Sequence, residues 1–134
     1  MIKLSRMSDY AVVVLEALSR PDTEAMSASQ LAAAVKLPEP TVAKVLKQMA
    51  AGGLVTSQRG VNGGYTAARS AEDISIFDIV SVIEGRLSLT ACVDGEHEPC
   101  ALSGGCAMNG RWNVVNEAVR KAFTDISLAQ MMRR

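Results

Sequence analysis

Three thiols lie close together in the second half of the chain, at Cys92, Cys100 and Cys106. Their spacing is C-x7-C-x5-C, and the chain has no other cysteine. An odd, clustered set of thiols is more typical of metal or redox chemistry than of a disulfide framework. Thiolates are the usual ligands of iron–sulfur clusters, and they also bind zinc. These residues therefore predict a metal or redox site, and their spacing leaves a cluster, zinc and a redox thiol pair all open.

The first twenty or so residues indicate the cell compartment, and the compartment decides whether the thiols are reduced. Its apolar run is too short for a membrane span, no small-residue cleavage site follows, and the pattern is that of an amphipathic helix. We therefore expect a cytoplasmic protein with no membrane partner. In that compartment the thiols stay reduced.

The elements ahead of the cysteines begin with a helix-turn-helix pattern. After a first amphipathic helix, Ser27 and Gln30 form the capping box of a second, short helix. A proline-bounded turn over 36–40 leads into a third helix, which Pro40 opens and Gly52 ends. The predicted apolar stripes of the first and third helices are Tyr10, Val13, Val14, Ala17 and Leu18, and Val42, Val45, Leu46 and Met49.

A hairpin and two further helices complete the predicted elements. Strand patterns over 54–58 and 65–67 flank a glycine-rich loop, which predicts a β-hairpin, or wing. Ser75 and Asp78 cap a fourth helix that Gly85 ends. A last helix of about twenty residues follows the cysteines, with the apolar stripe Trp112, Val115, Val119, Ala122, Phe123 and Ile126. So long a terminal helix needs a partner, and a second copy of the chain is the simplest one.

Polar side chains on the third helix and the wing suit DNA recognition. With the apolar stripe facing inward, the helix presents lysine and glutamine outward and a threonine at the flank, where they can contact phosphates and base edges. An arginine at the hairpin apex can enter a narrow minor groove, and the following glycines allow close backbone approach. The predicted DNA-binding residues are Thr41, Lys44, Lys47, Gln48, Arg59, Asn62 and Gly63.

Charge is segregated along the chain in a way that supports this prediction. The net charge is zero overall, but residues 36–69 carry five basic side chains against one acidic, whereas residues 70–98 carry seven acidic against one basic. A basic face for a polyanion and an acidic half that stays away from it are the simplest interpretation.

Three motifs occur together in this chain: the wing QRGVNGGYTAA, the opening IKLSRMSDYAV and the three cysteines ahead of a Trp-bearing helix. In these motifs the chain resembles the IscR/NsrR/RirA family of bacterial winged-helix, iron–sulfur regulators. The resemblance covers nearly the whole chain. It implies a mostly α fold, in which a winged helix-turn-helix with a two-stranded β wing spans residues 1–70. A cluster-binding loop and a long C-terminal dimerisation helix then occupy residues 71–134.

The resemblance also implies partners and a cofactor. The expected protein is a homodimer on a pseudo-palindromic operator of double-stranded DNA, with Arg59 in the minor groove. A two-iron or four-iron cluster near the dimer interface would be held by Cys92, Cys100 and Cys106. The first gap between the cysteines is longer than the family pattern.

Three cysteines leave the cluster one ligand short. Asp9 matches a carboxylate that serves as a ligand from the partner subunit in the nitric-oxide-sensing branch, although a helix-start carboxylate is also favoured by the helix dipole. His97, the only histidine, is a less favoured ligand. In the IscR branch the histidine follows the last cysteine by three residues, where this chain has Asn109. Glu96 and Glu98 are the least favoured.

The predicted function is transcriptional regulation rather than catalysis. We expect a repressor that senses cluster, iron or redox status and controls iron–sulfur cluster assembly genes. A nitric-oxide-responsive repressor of the same architecture, or a zinc- or thiol-based redox regulator, is the alternative. An enzyme is not expected, because the chain has no C-x-x-C, no Ser/His/Asp set and no phosphate-binding glycine loop. The helix-turn-helix argues against a cluster carrier that does not bind DNA.

Overall fold

The computed structural model of the protein describes residues 2–93 and 100–133. These residues form six α-helices, one short 3-10 helix and a two-stranded antiparallel sheet. In chain order the elements are α1 (Arg6–Leu18), α2 (Ala28–Val35), α3 (Glu39–Ala51), β1 (Val55–Gln58), β2 (Gly64–Ala67), the 3-10 helix (Ala71–Asp73), α4 (Ile76–Glu84), α5 (Asn113–Thr124) and α6 (Leu128–Met132). The mostly helical, winged-helix prediction is confirmed.

The predicted helix boundaries follow from local capping. The Ser27 and Ser75 side chains each accept a hydrogen bond from the backbone of the third helical residue, whose own side chain accepts one from the cap. Both capping boxes are as predicted, and each contributes about 1 kcal/mol to its helix. Between α2 and α3, Lys36 adopts a left-handed conformation with φ 59°, and α3 ends at the C-cap Gly52. Local chemistry alone accounts for these ends.

One hydrophobic core lies beneath α1, α3 and α4. The predicted stripe of α3 is completely buried. In α1 the prediction was partly wrong, since Ala11 and Leu15 are fully buried while Val13 is 36% exposed. The segment is apolar on more than one side, so its periodicity did not fix which face turns inward. The core includes both Leu54 and Ile74, which lie on either side of residue 70 in the chain. The predicted boundary between residues 1–70 and 71–134 therefore crosses one shared core, and it remains a prediction about function.

The last predicted helix is shorter than expected. α5 has 12 residues rather than about twenty, and Ile126 lies beyond its end. The Ile126 carbonyl accepts a hydrogen bond from the Ile76 N–H at 2.9 Å, and the Leu128 N–H donates to the Ile74 carbonyl at 2.8 Å. Ser127 caps α6, whose Leu128 is fully buried. The helix is interrupted because this backbone pairs with the start of α4 instead of with α5.

The wing is tied to the helical core. β1 and β2 pair antiparallel, and the Tyr65 backbone exchanges two hydrogen bonds with Met26, of 2.7 and 3.1 Å. This bridge fixes the wing relative to the start of α2. Within the described residues, no helix combines the length and the apolar character needed to cross a membrane.

Candidate nucleic-acid interface and cysteine segment

α2 and α3 form the helix-turn-helix, and the buried stripe of α3 decides which of its side chains face outward. Lys44 and Lys47 are exposed, and Thr41 is half-buried in the first turns of the helix. The two lysines lie on the outward side of α3 and Thr41 lies at its flank, and their contact with DNA stays a prediction. An exposed pair of ammonium groups on one helix is suited to phosphate or guanine contacts.

Gln48 differs from the lysines. Its side chain is half-buried, and its Oε1 atom is inaccessible and has no hydrogen-bond partner among the described residues. A buried carbonyl oxygen without a partner is costly. The lysine ammonium groups therefore face outward, whereas the Gln48 amide oxygen does not.

The wing presents Arg59 and Asn62 in exposed positions beyond β1. Gly63 is half-buried, and its N–H donates to the Gly60 carbonyl at 3.0 Å. A Cβ atom added to Gly63 would lie 2.4 Å from the Gln58 carbonyl oxygen. Glycine at this position is thus needed by the tight wing turn itself, which is a reason separate from any approach to DNA.

Cys92 lies in a polar microenvironment at the end of the segment after α4. The Thr90 hydroxyl is 3.2 Å from the Cys92 Sγ atom. This hydrogen bond, with a second from the Gly110 N–H, lowers the pKa of the Cys92 thiol from its ordinary value. A lowered thiol pKa favours the thiolate, which is the form that binds metals and reacts with oxidants.

The three cysteines are not assembled into a metal site in the chain as described. Cys92 and Cys100 are half-buried and Cys106 is exposed, and all three are free thiols. Across residues 2–93 and 100–133, no three side chains of the His, Cys, Asp or Glu type are grouped so that they could hold a metal ion. Asp9 is exposed in the first turn of α1. The predicted alternatives His97, Glu96 and Glu98 lie outside the described residues.

The donor chemistry nevertheless fits an iron–sulfur cluster or zinc. Three thiols with no disulfide between them are available, and the Cys92 thiol already has a lowered pKa. The residues present therefore suit the group chemically, although the described residues 2–93 and 100–133 do not bring them together on one metal centre.

The cysteine segment is the part of the chain between α4 and α5, residues 85–112. Two polar contacts at or next to its ends were not predicted from the sequence. The buried Asn116 amide accepts from the Leu89 N–H and donates to the Leu87 carbonyl, both at 3.0 Å. An asparagine in the middle of an amphipathic helix was the available signal. These bonds tie the segment ahead of Cys92 to α5.

The second contact joins α4 to α1. Glu84 Oε1 accepts from the Ser5 N–H at 2.6 Å and from the Ser8 hydroxyl at 2.9 Å. The Ser5 N–H is the main cause that lowers the pKa of the Glu84 carboxyl. The end of α4 is thereby attached to the start of the helix that carries Asp9.

A family model described as Rrf2, iron-dependent transcriptional regulator, matches residues 4–134. The match includes the helix-turn-helix, the wing and all three cysteines. The chain belongs to the Rrf2 family. As an Rrf2-family protein it is a transcriptional regulator, and its relatives are regulators rather than enzymes.

Named relatives are similar over most of this Rrf2-family chain. The HTH-type transcriptional regulator NsrR of Shouchella clausii is 29% identical over 119 residues, which cover 88% of this chain and 78% of that protein. Protein aau3 of Rhizobium meliloti is 29% identical over 122 residues, 91% of this chain and 75% of that protein.

Solved structures share the fold. CymR (YrzC), the global cysteine regulator of B. subtilis, has a TM-score of 0.73 and 25% identity, covering 98% of this chain and 97% of that one. T. potens IscR has a TM-score of 0.71 and 26% identity, covering 98% and 86%. Because these Rrf2-type neighbours carry different names, likeness alone does not select the signal that this chain senses.

Proposed function

We propose that this Rrf2-family protein is a homodimeric repressor whose affinity for an operator changes when an iron–sulfur cluster on the cysteine segment is gained or lost. The genes it controls would be those of iron–sulfur cluster assembly. The observation that carries the proposal is the combination, in one chain, of an outward basic surface on α3 and the wing with three free thiols directly ahead of α5.

The DNA-binding part of the proposal uses α3 and the wing together. Exposed Lys44 and Lys47 would enter the major groove with α3, and Arg59 would enter the adjacent minor groove. Thr41, Gln48, Asn62 and Gly63 complete the proposed interface. Two such heads must be about one DNA turn apart, roughly 34 Å, to bind both halves of a palindrome. A dimer whose spacing can change is therefore a switch.

The dimer is proposed from the apolar surface of α5. Trp112 is 44% exposed, Val115 44% and Ile126 42%, and these residues belong to the stripe that a second copy of the chain was predicted to cover. Trp112 is the N-cap of α5, Val115 lies in its first turn and Ile126 lies just beyond its end. Exposed large apolar side chains of this kind are typical of a protein interface. A second copy of the chain would cover them with the same surface.

In the proposed sensor, Cys92, Cys100 and Cys106 hold the cluster as thiolates, and Asp9 of the partner subunit is the proposed fourth ligand. When bound, the cluster supplies a centre that is sensitive to iron supply, oxidant and nitric oxide. Thr90 and the Gly110 N–H stabilise the thiolate of Cys92. Asn116 and Glu84 link the cysteine segment and the end of α4 to α5 and α1. Coupling of about 1–3 kcal/mol through such links is enough to switch operator occupancy.

A second candidate is a zinc- or thiol-based redox regulator. The absence of a preformed metal group within the described residues favours it, because a thiol switch needs no convergence of all three cysteines. The lowered pKa of the Cys92 thiol is also what such a switch requires. A nitric-oxide-responsive repressor would use the same residues as the first candidate and differ in its signal.

Purification without oxygen, followed by measurement of iron, acid-labile sulfide and zinc per chain, tests the sensor. Matched iron and sulfide with visible charge-transfer absorption is the expected result, and their ratio per dimer separates two-iron from four-iron clusters. Cys92→Ser should abolish the iron content while leaving the far-UV spectrum unchanged. Zinc without sulfide, or thiols alone, would replace the cluster proposal with the second candidate.

Arg59→Ala tests the wing by gel shift against an operator selected from random DNA. We expect affinity to fall about tenfold or more at physiological salt, a loss of about 1.4 kcal/mol, because a minor-groove guanidinium contact is removed. Arg111→Ala, which removes an exposed arginine outside α3 and the wing, is the matched control. Equal affinity of the wild type and Arg59→Ala would mean that the wing does not contact DNA.

A further inference from the structure

A cavity of about 570 Å³ lies between α4 and α5, on the side of the segment that leads to Cys92. This volume is within the range of small-molecule sites, roughly 300–1,000 Å³. Phe77, Leu87 and Val93 provide apolar walls. Among the described residues that line it there is no cysteine, although Val93 is the neighbour of Cys92.

Arg120 brings a positively charged guanidinium to this cavity. Its guanidinium carbon lies 5.1 Å from the centroid of the Phe77 ring, a distance at which the ring face attracts and orients the group. Its ion pair with Glu117 is long, with 3.7 Å between the Arg120 Nη1 and Glu117 Oε2 atoms. That separation exceeds hydrogen-bond length. The Arg120 side chain is 53% exposed and the Glu117 side chain 65%. The guanidinium therefore keeps donors that a ligand can reach, and its planar fork matches a carboxylate.

The cavity and the exposed apolar stripe lie on different sides of α5. Asn113, Asn116, Glu117 and Arg120, which line the cavity, recur at the spacing of one helix face. At about 100° per residue, Val115 lies roughly 140° around the helix from Arg120. By the same measure Trp112, which also belongs to the stripe, lies roughly 80° from Arg120. The two surfaces are therefore well separated at Val115 and are neighbours at Trp112.

Two residues of the cysteine segment, Leu87 and Val93, also line the cavity. Leu87 lines the cavity, and its carbonyl is held by Asn116, while Val93 directly follows Cys92. A molecule packed against Leu87 and Val93 would contact the residues on both sides of the segment that carries Thr90 and Cys92.

We propose that the cavity between α4 and α5 is an effector site for a small monocarboxylate with an apolar body. Arg120 binds the carboxylate, and Phe77, Leu87 and Val93 contact the apolar part. The site rests on the cavity alone and does not require the cluster, so its failure and that of the iron–sulfur proposal are separate outcomes.

Phenylacetate is the probe, titrated by calorimetry into the full-length protein, with phenylacetamide as the uncharged isostere. A ligand of this size in a partly open site is expected to bind with a Kd on the order of 1 mM. Arg120→Gln should weaken phenylacetate binding at least tenfold, and Arg120→Lys should weaken it less. The Val93 and Leu87 methyl signals in NMR spectra should shift with the same saturation curve.

Lys121→Gln is the matched control, since Lys121 is the next residue of α5 and pairs with Asp125 instead of lining the cavity. It should bind phenylacetate like the wild type. Thermal unfolding of each variant shows whether the fold is retained. The proposal is overturned if phenylacetate does not saturate up to about 10 mM, if phenylacetamide binds equally well, or if a folded Arg120→Gln retains wild-type affinity.

Discussion

Gly63 has a steric role that can be tested at the level of one atom. Gly63→Ala would place a Cβ 2.4 Å from the Gln58 carbonyl oxygen and 2.9 Å from the Arg59 carbonyl carbon, so the wing turn must open. We expect a loss of about 1–3 kcal/mol in the free energy of unfolding, measured in urea, because overpacked backbone has to shift. In Gly104→Ala the added methyl meets open space, and this control should be within about 0.5 kcal/mol of the wild type. Equal stability of the two variants would contradict the wing geometry.

Glu84 makes a pH-dependent contribution because its pKa is lowered in the folded chain, chiefly by the Ser5 N–H. A carboxyl with a lowered folded pKa stabilises the protein above its unfolded pKa and loses that contribution as the pH falls through the folded value. Glu84→Gln should therefore be less stable than the wild type at pH 7, by about 1 kcal/mol or less since the carboxylate is exposed.

The measurement is the difference in urea unfolding free energy between the wild type and Glu84→Gln, followed downward from pH 7. The difference should narrow as the pH falls below the ordinary value of a glutamate carboxyl, about 4.3, and passes through the lowered pKa of the Glu84 carboxyl in the folded chain. Glu72→Gln, which removes an exposed carboxylate from the 3-10 helix, is the control for general charge effects. A difference that does not change with pH would mean that Ser5 does not stabilise the charged form.

At the scale of elements, Asn116 connects α5 to the segment that precedes Cys92. Asn116→Ala removes both the acceptor for the Leu89 N–H and the donor to the Leu87 carbonyl. We expect a loss of about 2 kcal/mol in unfolding free energy, because part-buried backbone groups lose their partners. Hydrogen exchange at the Leu89 amide should accelerate at the same time.

Asn113→Ala is the control for this prediction. Asn113 is an exposed asparagine in the first turn of α5, on the same cavity-lining face. Its substitution should leave exchange at Leu89 unchanged. Unaltered exchange in Asn116→Ala would show that the segment is held by other contacts.

At the scale of the whole molecule, the exposed stripe of α5 predicts the assembly. Val115→Glu places a charge on that stripe, and we expect the dimer dissociation constant to rise at least tenfold because the charge would be buried without a partner. Sedimentation velocity over a concentration series is the measurement. Lys121→Gln, away from the stripe, should retain the wild-type distribution. A Val115→Glu variant that remains dimeric at the same concentrations would place the interface elsewhere.

The sequence by itself determined those features that depend on residues within about a dozen positions of one another. The caps at Ser27 and Ser75, the buried stripe of α3 and the hairpin are of this kind, and the motifs around Arg59 and the cysteines indicated the family. These features depend on nearby residues, so the sequence pattern is enough to predict them.

Only the tertiary structure decided the features that join distant segments. The inward face of α1 was ambiguous because that helix is apolar on several sides. α5 ends early because Ile126 pairs with Ile76, and Asn116 is buried because it holds Leu87 and Leu89. The cysteines are close in sequence but remain free thiols, and among the described residues they are not grouped on one metal site, because the spacing C-x7-C-x5-C does not itself bring three side chains together. Contacts between residues far apart in the chain depend on how the elements pack, and no local pattern specifies them.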